Sequence, residues 1–300
     1  MRLLVVDTGG DRFYRNGLQI VDRSIGRGRE RSPKWNALLP TRCLITRSDQ
    51  THTVPETDTH PSGARNGMLQ LRSKETLDQR DLGWLKARHH FIVSADGNPE
   101  NRSLGSLVVW NDDEIAPGTG FGRHFHPDME IVTYVRQGAV THEDSTGKVG
   151  RTVAGDVQVM SAGTGISHSE HNRDESPLKL FQLRLLPRQR GGTPRWDSRK
   201  FPKADRAGRL VELATGNPRN AETLLIRADP RILGATLLAG TTLTPAPSAR
   251  FRHVYLAPRS GRGPCQRAAG CGWRRFAAID EPELTITAEE DAEFILVDAA

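Results

Sequence analysis

The feature that most constrains the fold is a series of short, strand-forming segments separated by turn residues. From about residue 88 onward, segments rich in β-branched and aromatic side chains alternate with stretches that contain Gly, Asn, Asp or Pro. The clearest segments are LGSLVVW (104–110), MEIVTYV (129–135), GAVTHED (138–144), DVQVMSA (156–162) and LKLFQLRLL (178–186). Short strands that recur every ~8–12 residues are typical of β-sandwiches and β-barrels. The sequence therefore predicts an all-β protein.

A change in composition near Met68 divides the chain. Residues 1–67 contain scattered arginines, no sustained hydrophobic period and a polar final stretch, so we expect a poorly structured, disordered N-terminal extension. Alternation of apolar and polar residues begins at Met68, which is therefore a candidate translation start. The stretch 187–196, PRQRGGTPRW, is the best linker candidate. It separates an N-terminal domain, 68–190, from a C-terminal domain, 191–300, and both contain strand-like segments.

Signals for secretion, membrane insertion and disulfide bonding are missing from the sequence. No apolar run approaches the ~20 residues that a membrane helix needs. The opening residues, MRLLVVDTGGDR, contain too few apolar side chains for the hydrophobic region of a secretory signal. Cys43, Cys265 and Cys271 lack CxxC spacing and predict neither a disulfide framework nor a thiolate zinc site. We therefore expect a cytoplasmic protein with no membrane contact.

The net charge of +6 does not by itself predict nucleic-acid binding. Residues 1–67 carry +4 of this charge and the following 233 residues carry only +2. The basic residues do not form blocks with interleaved aromatic side chains, which is the pattern of a nucleic-acid-binding surface. Nucleic acid is therefore not an expected partner.

Two pairs of metal-binding residue types are spaced for a β-strand. Side chains two residues apart on a strand share a face, so His124 and His126 point the same way, joined by Glu130 if the segment stays extended. His168 and Glu170 repeat the spacing in a second segment. A single histidine would be an ordinary surface or core residue. Two such pairs beside glycine-rich turns predict instead that three imidazoles and a carboxylate converge at the mouth of a barrel, where they suit a divalent transition metal.

The same segments resemble a known family. The stretch GTGFGRHFHPDME resembles the first cupin motif, and residues 155–172 resemble the second, with Ser161 where a proline is usual and two extra residues before His168. These departures are typical of the pirin family, whose signature resembles HxHxxxEIVTYVxxGxVxHxDSxG followed by GDxQxMSAGTGxxHSExN. The resemblance is close over residues 68–190 and weaker up to residue 300.

The resemblance implies a bicupin, in which one chain forms two jelly-roll β-barrels and only the N-terminal barrel binds metal. The positions that match the ligands of the family are His124, His126, His168 and Glu170. Glu130 is then a near neighbour of the ligands, although the equivalent glutamate of other cupins binds the metal. In the C-terminal half, His253 stands without an HxH partner, and we assign it a structural role.

Several neighbouring residues have less specific interpretations. His142 and Asp144 could fix the tautomer of a ligand imidazole, but a solvated hairpin end is the favoured interpretation. Phe125 alternates away from the histidines and is assigned to the core. Gly163 and Gly165 are expected to allow the tight turn that delivers the second pair of metal ligands.

The resemblance also implies an activity, that of quercetin 2,3-dioxygenase, which opens a flavonol ring with O2 and releases carbon monoxide. A metal held by three imidazoles would act as Lewis acid and template for the deprotonated 3-hydroxyl, and Glu170 would be the catalytic base that takes its proton. An apolar barrel interior would hold the flat substrate. Iron(II) is the favoured metal, while manganese, nickel, cobalt, copper and zinc stay open because the ligand types admit them all.

Two other functions use the same fold. Some pirins act as redox-responsive transcription cofactors, in which case the metal would alter a surface that docks a protein partner. The dioxygenase and the transcription cofactor would use the same four site residues. A metal-free sugar epimerase is disfavoured because that chemistry does not need four convergent ligands. Each barrel closes within one chain, so we expect a monomer.

Overall fold

The computed structural model describes residues 44–46, 68–72, 76–93, 97–99, 101–218, 221–245, 251–258, 274–279, 285–288 and 291–299. These residues form β-strands and include a short 3-10 helix, Lys203–Arg206, but no α-helix. The predicted all-β fold is therefore confirmed. In the described part of the chain, no helix has the length and hydropathy that crossing a membrane requires.

The N-terminal half forms a large antiparallel sheet of seven strands. In spatial order they are β13 (Arg195–Arg199), β10 (Val157–Ser161), β7 (Glu130–Gln137), β12 (Leu178–Leu185), β5 (Leu107–Ile115), β4 (Leu85–His89) and β3 (Asp78–Asp81). Alternate side chains of these strands point to opposite faces. Along β12, Leu178 and Leu180 pack in the first barrel, whereas Phe181 and Leu183 pack in a core shared with the C-terminal half.

A four-stranded antiparallel sheet closes the first barrel. Its strands, in spatial order, are β6 (Gly120–His126), β11 (Ile166–His171), β8 (Ala139–Asp144) and β9 (Val149–Val153). One end of the barrel is filled by a cluster that includes Val135 and Leu180 from the large sheet and Val140 from the small one. We call this cluster the apolar plug. The polar side chains of the interior lie at the other end of the barrel.

The second barrel has the same two-sheet plan. Its large sheet contains, in spatial order, β15 (Leu224–Leu225), β14 (Val211–Thr215), β16 (Arg231–Leu237), β21 (Ala292–Ala299), β18 (Phe251–Pro258), β19 (Arg274–Ile279) and β2 (Met68–Arg72). The small sheet contains β1 (Leu44–Thr46), β20 (Thr285–Thr287) and β17 (Thr242–Leu243). Between them lies a separate apolar cluster that includes Leu237, Ile286, Phe294 and Leu296.

The two halves exchange strands. β13 begins within the predicted linker, 187–196, and pairs with β10 in the first large sheet, with Trp196 opposite Met160. β2 precedes the first barrel but pairs with β19 in the second large sheet, with Met68 opposite Ile279. Composition and turn residues do not reveal such pairings. The domain boundary between 68–190 and 191–300 therefore stays a prediction, and strands from each side of it pair in the sheet of the other half.

A buried polar contact crosses between the two halves. The Tyr134 hydroxyl on β7 donates a hydrogen bond to the Glu293 carboxylate on β21 and accepts one of 3.1 Å from Arg206 Nη2. Lys203 Nζ lies 3.1 Å from Glu293 and completes the cluster. Burial raises the pKa of Tyr134, so this side chain stays a neutral hydroxyl.

Two predictions fall largely on residues outside those described. Of the expected N-terminal extension, the structure describes β1, Leu44–Thr46, which pairs with β20. The rest of residues 1–67 lies outside the described residues, so its disorder stays a prediction. The stretch 260–276, SGRGPCQRAAGCGWRRF, fits neither strand nor turn patterns in the sequence and predicts a loop; it also lies outside the described residues, except for its last three residues, which begin β19.

Candidate metal centre

Strand pairing brings three histidines together. β6 and β11 are antiparallel neighbours, and His168 lies directly opposite His124. The ring centroids of His124 and His168 are 4.3 Å apart, those of His124 and His126 are 4.8 Å apart, and those of His126 and His168 are 5.2 Å apart. One nitrogen from each ring lies within 4.8 Å of the others. The convergence expected from the period-2 spacing is therefore present for the imidazoles.

The environment of these rings leaves their nitrogens available as ligands. His126 Nε2 and both ring nitrogens of His168 are buried and have no hydrogen-bond partner in the described part of the chain. The Nδ1 atom of His124 lies 2.8 Å from the Gly122 carbonyl, a contact that fixes the ring when Nδ1 carries the proton and leaves Nε2 free. The donor set therefore fits a divalent transition metal.

Burial keeps all three rings neutral. It is the largest cause that lowers the pKa of His124, His126 and His168, and it takes the pKa of His126 to about 2. A neutral imidazole keeps a lone pair for a metal, whereas a protonated one has none. The site thus offers three uncharged nitrogen donors near neutral pH.

Glu170 stands beside this cluster and shares His168 with it. One oxygen of Glu170 lies within 4.8 Å of ligand atoms of His168 and His142, which form a second compact group. A β-bulge between His168 and Glu170 shifts the register against β6, so the carboxylate and the His124–His126 pair do not fall into one group. The role of Glu170 as fourth ligand and as catalytic base therefore stays a prediction.

Two glutamine amides hold the Glu170 carboxylate. Gln158 Nε2 donates to Glu170 Oε1 and Gln182 Nε2 donates to Oε2, each at 2.7 Å. The Gln182 oxygen in turn accepts a hydrogen bond of 3.0 Å from Arg184 Nη2, and the Gln158 oxygen accepts one of 3.0 Å from Thr152 Oγ1. Because arginine has no acceptor, Gln182 must turn its oxygen to Arg184 and its amino group to Glu170. The network thus fixes the carboxylate as an acceptor at both oxygens.

The network belongs to a polar row that crosses the inner face of the first large sheet. The register places Gln158 opposite Thr133, Thr133 opposite Gln182, Gln182 opposite Asn111 and Asn111 opposite His89. The expectation of an apolar barrel interior is therefore wrong at the level of the site. The physical reason is that each polar residue lies on a different strand, so the row appears only when the strands are paired.

His142 is buried, and its expected position at a solvated hairpin end is wrong. The side chain is fully enclosed, with Nε2 2.9 Å from Asp144 Oδ2 and its ring 5.3 Å from that of His168. Trp196, which arrives on β13, stacks on it with ring centroids 5.0 Å apart. A Cβ on Gly150 would lie 2.0 Å from the Trp196 ring, so only glycine admits the indole here. The strand that covers His142 is distant in sequence.

Glu130 turns away from the histidines. β6 ends at His126 and β7 begins at Glu130, and between them Asp128 has a left-handed backbone with φ 48°. Glu130 accepts hydrogen bonds of 2.7 Å from Ser161 Oγ and 2.9 Å from the Arg227 backbone N–H. The glutamate therefore ties the first barrel to the C-terminal half, and the shared face expected for an extended segment does not extend to it.

Phe125 and the glycine turn are coupled. Phe125 is 45% exposed, so its assignment to the core is wrong. Its ring covers Gly165, where a Cβ would lie 2.3 Å from the phenyl group. Gly163 and Gly165 have φ 52° and φ 142°, which confirms their expected role in the turn before β11. His253 lies on β18 opposite Val297, with its side chain outside the described residues, and its structural role stays a prediction.

Comparison with known proteins identifies the family. The Pirin family model matches residues 70–185. A pirin-like protein of Caulobacter vibrioides is 51% identical over 234 residues, which cover 78% of this chain and 100% of the relative. The chain belongs to the pirin family. Membership accounts for the bicupin architecture of two jelly-roll barrels.

Two further comparisons bear on the site. Quercetin 2,3-dioxygenase of Escherichia coli is 33% identical over 232 residues, covering 77% of this chain and 98% of the relative. The crystal structure of the bacterial pirin YhhW from Escherichia coli in complex with nickel(II) matches with a TM-score of 0.67 and 32% identity, covering 77% of this chain and 99% of that one. A similar pirin thus binds a metal, and this chain has a histidine–glutamate cluster that could hold one.

Proposed function

We propose that this pirin is a metal-dependent dioxygenase that opens the ring of a flavonol such as quercetin with O2. The observation that carries the proposal is the convergence of three neutral imidazoles with unpaired nitrogens beside a buried carboxylate. The Escherichia coli relative named quercetin 2,3-dioxygenase supports the choice of reaction. Iron(II) is our proposed metal, and the same donors admit manganese, nickel, cobalt, copper or zinc. A cytoplasmic location and a monomeric state also stay predictions.

Each site residue has a defined part in this proposal. His124, His126, His168 and Glu170 would hold the metal, which when bound supplies a Lewis acid and a template for oxygen ligands. Glu170 is also the proposed catalytic base, because a carboxylate at the metal is within reach of the substrate 3-hydroxyl proton. Gln158 and Gln182 hold its oxygens in place and so fix the direction in which the proton is accepted.

Quercetin consumption by the purified protein tests the proposal. The absorbance of quercetin should fall only when both O2 and metal-loaded protein are present, and His124→Ala should abolish the loss together with the bound metal. Equal loss with and without O2, or no loss by protein of verified metal content, contradicts a dioxygenase. The second result favours the non-enzymatic alternative, a metal-binding pirin that docks a protein partner.

A further inference from the structure

One cation, Arg184, contacts the glutamine network that holds Glu170. Arg184 is on β12, two residues after Gln182 and on the same inner face of the sheet. Its Nη2 donates to Gln182 Oε1, and the Gln182 amide donates to Glu170, one oxygen of which lies within 4.8 Å of a ligand atom of His168. The guanidinium therefore faces the interior that contains the histidines and is linked to Glu170 through the Gln182 amide.

The guanidinium has only part of its hydrogen-bonding capacity satisfied. Nη2 donates to Gln182 Oε1 at 3.0 Å, while Nε is buried without a partner among the described residues. Arg184 forms no ion pair with any carboxylate in the described part of the chain. The charge of Glu170 acts on it, yet both Glu170 oxygens are engaged by glutamine amides. The buried Nε of Arg184 is therefore still available as a donor to an oxygen atom of a ligand.

A second acidic group, Asp113, makes no hydrogen bond to Arg184. Asp113 is buried on β5, and neither of its carboxyl oxygens has a hydrogen-bond partner among the described residues. Burial, followed by the charge of Asp112, raises the pKa of Asp113 to about 8. Asp113 therefore makes no hydrogen bond to Arg184, and the remaining guanidinium donors are not used by this carboxyl group.

We propose that Arg184 and the metal centre form a two-point binding site for acidic, oxygen-bearing substrates. One ionised oxygen would face the metal, and a neighbouring carbonyl or carboxylate oxygen would accept hydrogen bonds from the guanidinium. The proposal rests on the proposed function, because it needs the metal, and it narrows the substrate class to phenols or enols with an adjacent oxygen. Arginine suits this task because its planar fork binds oxygen pairs and stays charged when buried.

Anion binding to the cobalt(II)-loaded full chain tests the proposal, with the visible absorption of cobalt as readout. Azide probes an anion at the metal, and imidazole probes a neutral ligand at the same place. Arg184→Gln removes the charge but keeps an N–H donor for Gln182, and Arg184→Lys keeps the charge without the fork. Lys179→Gln is the matched control, since Lys179 lies on the same strand and pairs with Glu114 at the surface.

Arg184→Gln should weaken azide binding about 10- to 100-fold, the usual effect of losing a charged hydrogen bond. The imidazole affinity and the cobalt content of Arg184→Gln should stay unchanged. The azide affinity of Arg184→Lys should lie between those of Arg184→Gln and the wild type, and Lys179→Gln should bind azide like the wild type. Wild-type azide affinity in both Arg184 variants overturns the proposal, as does equal weakening of azide and imidazole. If Arg184→Gln weakens the binding of azide but not of imidazole, while the wild type does not consume quercetin, the dioxygenase assignment is wrong and the anion-binding role of Arg184 is supported. A wild-type chain that binds no cobalt overturns both.

Discussion

The two barrels of this pirin share an architecture but differ in what their interiors contain. In the second barrel, the described side chains between the sheets form an apolar cluster that includes Leu237, Ile286, Phe294 and Leu296. In the first, an apolar plug fills one end, and the other end holds buried histidines, glutamines and carboxyl groups. The comparison teaches that one fold can devote its interior to packing or to ligand binding.

Individual buried carboxyl groups illustrate the same difference. At the end of β21, the Asp298 carboxylate is paired with Arg231 Nη2 at 2.6 Å. In the first barrel, Asp113, His126 and His168 have buried polar atoms without hydrogen-bond partners among the described residues. Such atoms lower stability unless a ligand satisfies them. The unpaired polar atoms of the first barrel therefore reduce its stability and leave it able to bind a ligand.

Replacement of one metal-binding residue of the first barrel should have the largest effect of the changes that test this difference between the barrels. His168→Ala should abolish metal binding and turnover, a loss well beyond the ~10- to 100-fold that an outer-shell change causes. His89→Ala is the matched control, because His89 is also buried on the inner face but contacts Asn111 at 2.9 Å, outside the histidine cluster. Elemental analysis of both variants checks the prediction. Metal content at the wild-type level in His168→Ala would remove that residue from the site.

Truncation in the second barrel should affect stability alone. Phe294→Ala removes a fully buried ring from the apolar cluster and should lower the free energy of unfolding by about 3–5 kcal/mol. Metal content per folded chain should not change, because Phe294 lies in the separate cluster of the other barrel. Denaturant unfolding combined with elemental analysis measures both quantities. Loss of metal from folded Phe294→Ala would show that the two interiors are coupled.

A neutral replacement at Asp113 should stabilise the first barrel in a pH-dependent way. The folded pKa of Asp113 is raised from 3.8 to about 8, so the native state keeps a proton that the unfolded chain loses above about pH 4. Wild-type stability should therefore fall as pH rises between these values, by about 1.4 kcal/mol per pH unit. Asn at position 113 does not titrate, so the stability of Asp113→Asn relative to the wild type should increase from pH 5 to pH 7. A constant difference across that range would exclude a raised pKa.

Loss of one glutamine amide should have a smaller effect, on turnover. Gln182→Leu removes the donor to Glu170 Oε2 and should lower turnover about tenfold, as loss of an outer-shell contact typically does. Gln137→Leu, at the exposed end of β7, is the control. Steady-state kinetics with verified metal content separates positioning from metal loss. An unchanged turnover number in Gln182→Leu would show that the amide has no part in orienting the carboxylate.

Sequence alone predicted what depends on local spacing. Period-2 patterns identified strands, the two residue pairs and the turn glycines, and the resemblance supplied the bicupin plan. Burial of His142 depends on Trp196, more than fifty residues later, and on strand exchange between the halves. The link from Gln158 to Gln182 through Thr133 depends on strand register. These features arise from long-range pairing and have no local sequence signal beyond polar residues at alternate positions.

The account depends most directly on where a metal ion binds. An anomalous difference map of the metal-loaded protein, collected at the absorption edge of the bound metal, should show one peak in the first barrel. That peak should lie about 2.0–2.2 Å from one nitrogen each of His124, His126 and His168 and from an oxygen of Glu170. A peak outside this cluster, or bound metal that remains when all three histidines are replaced, would contradict the account.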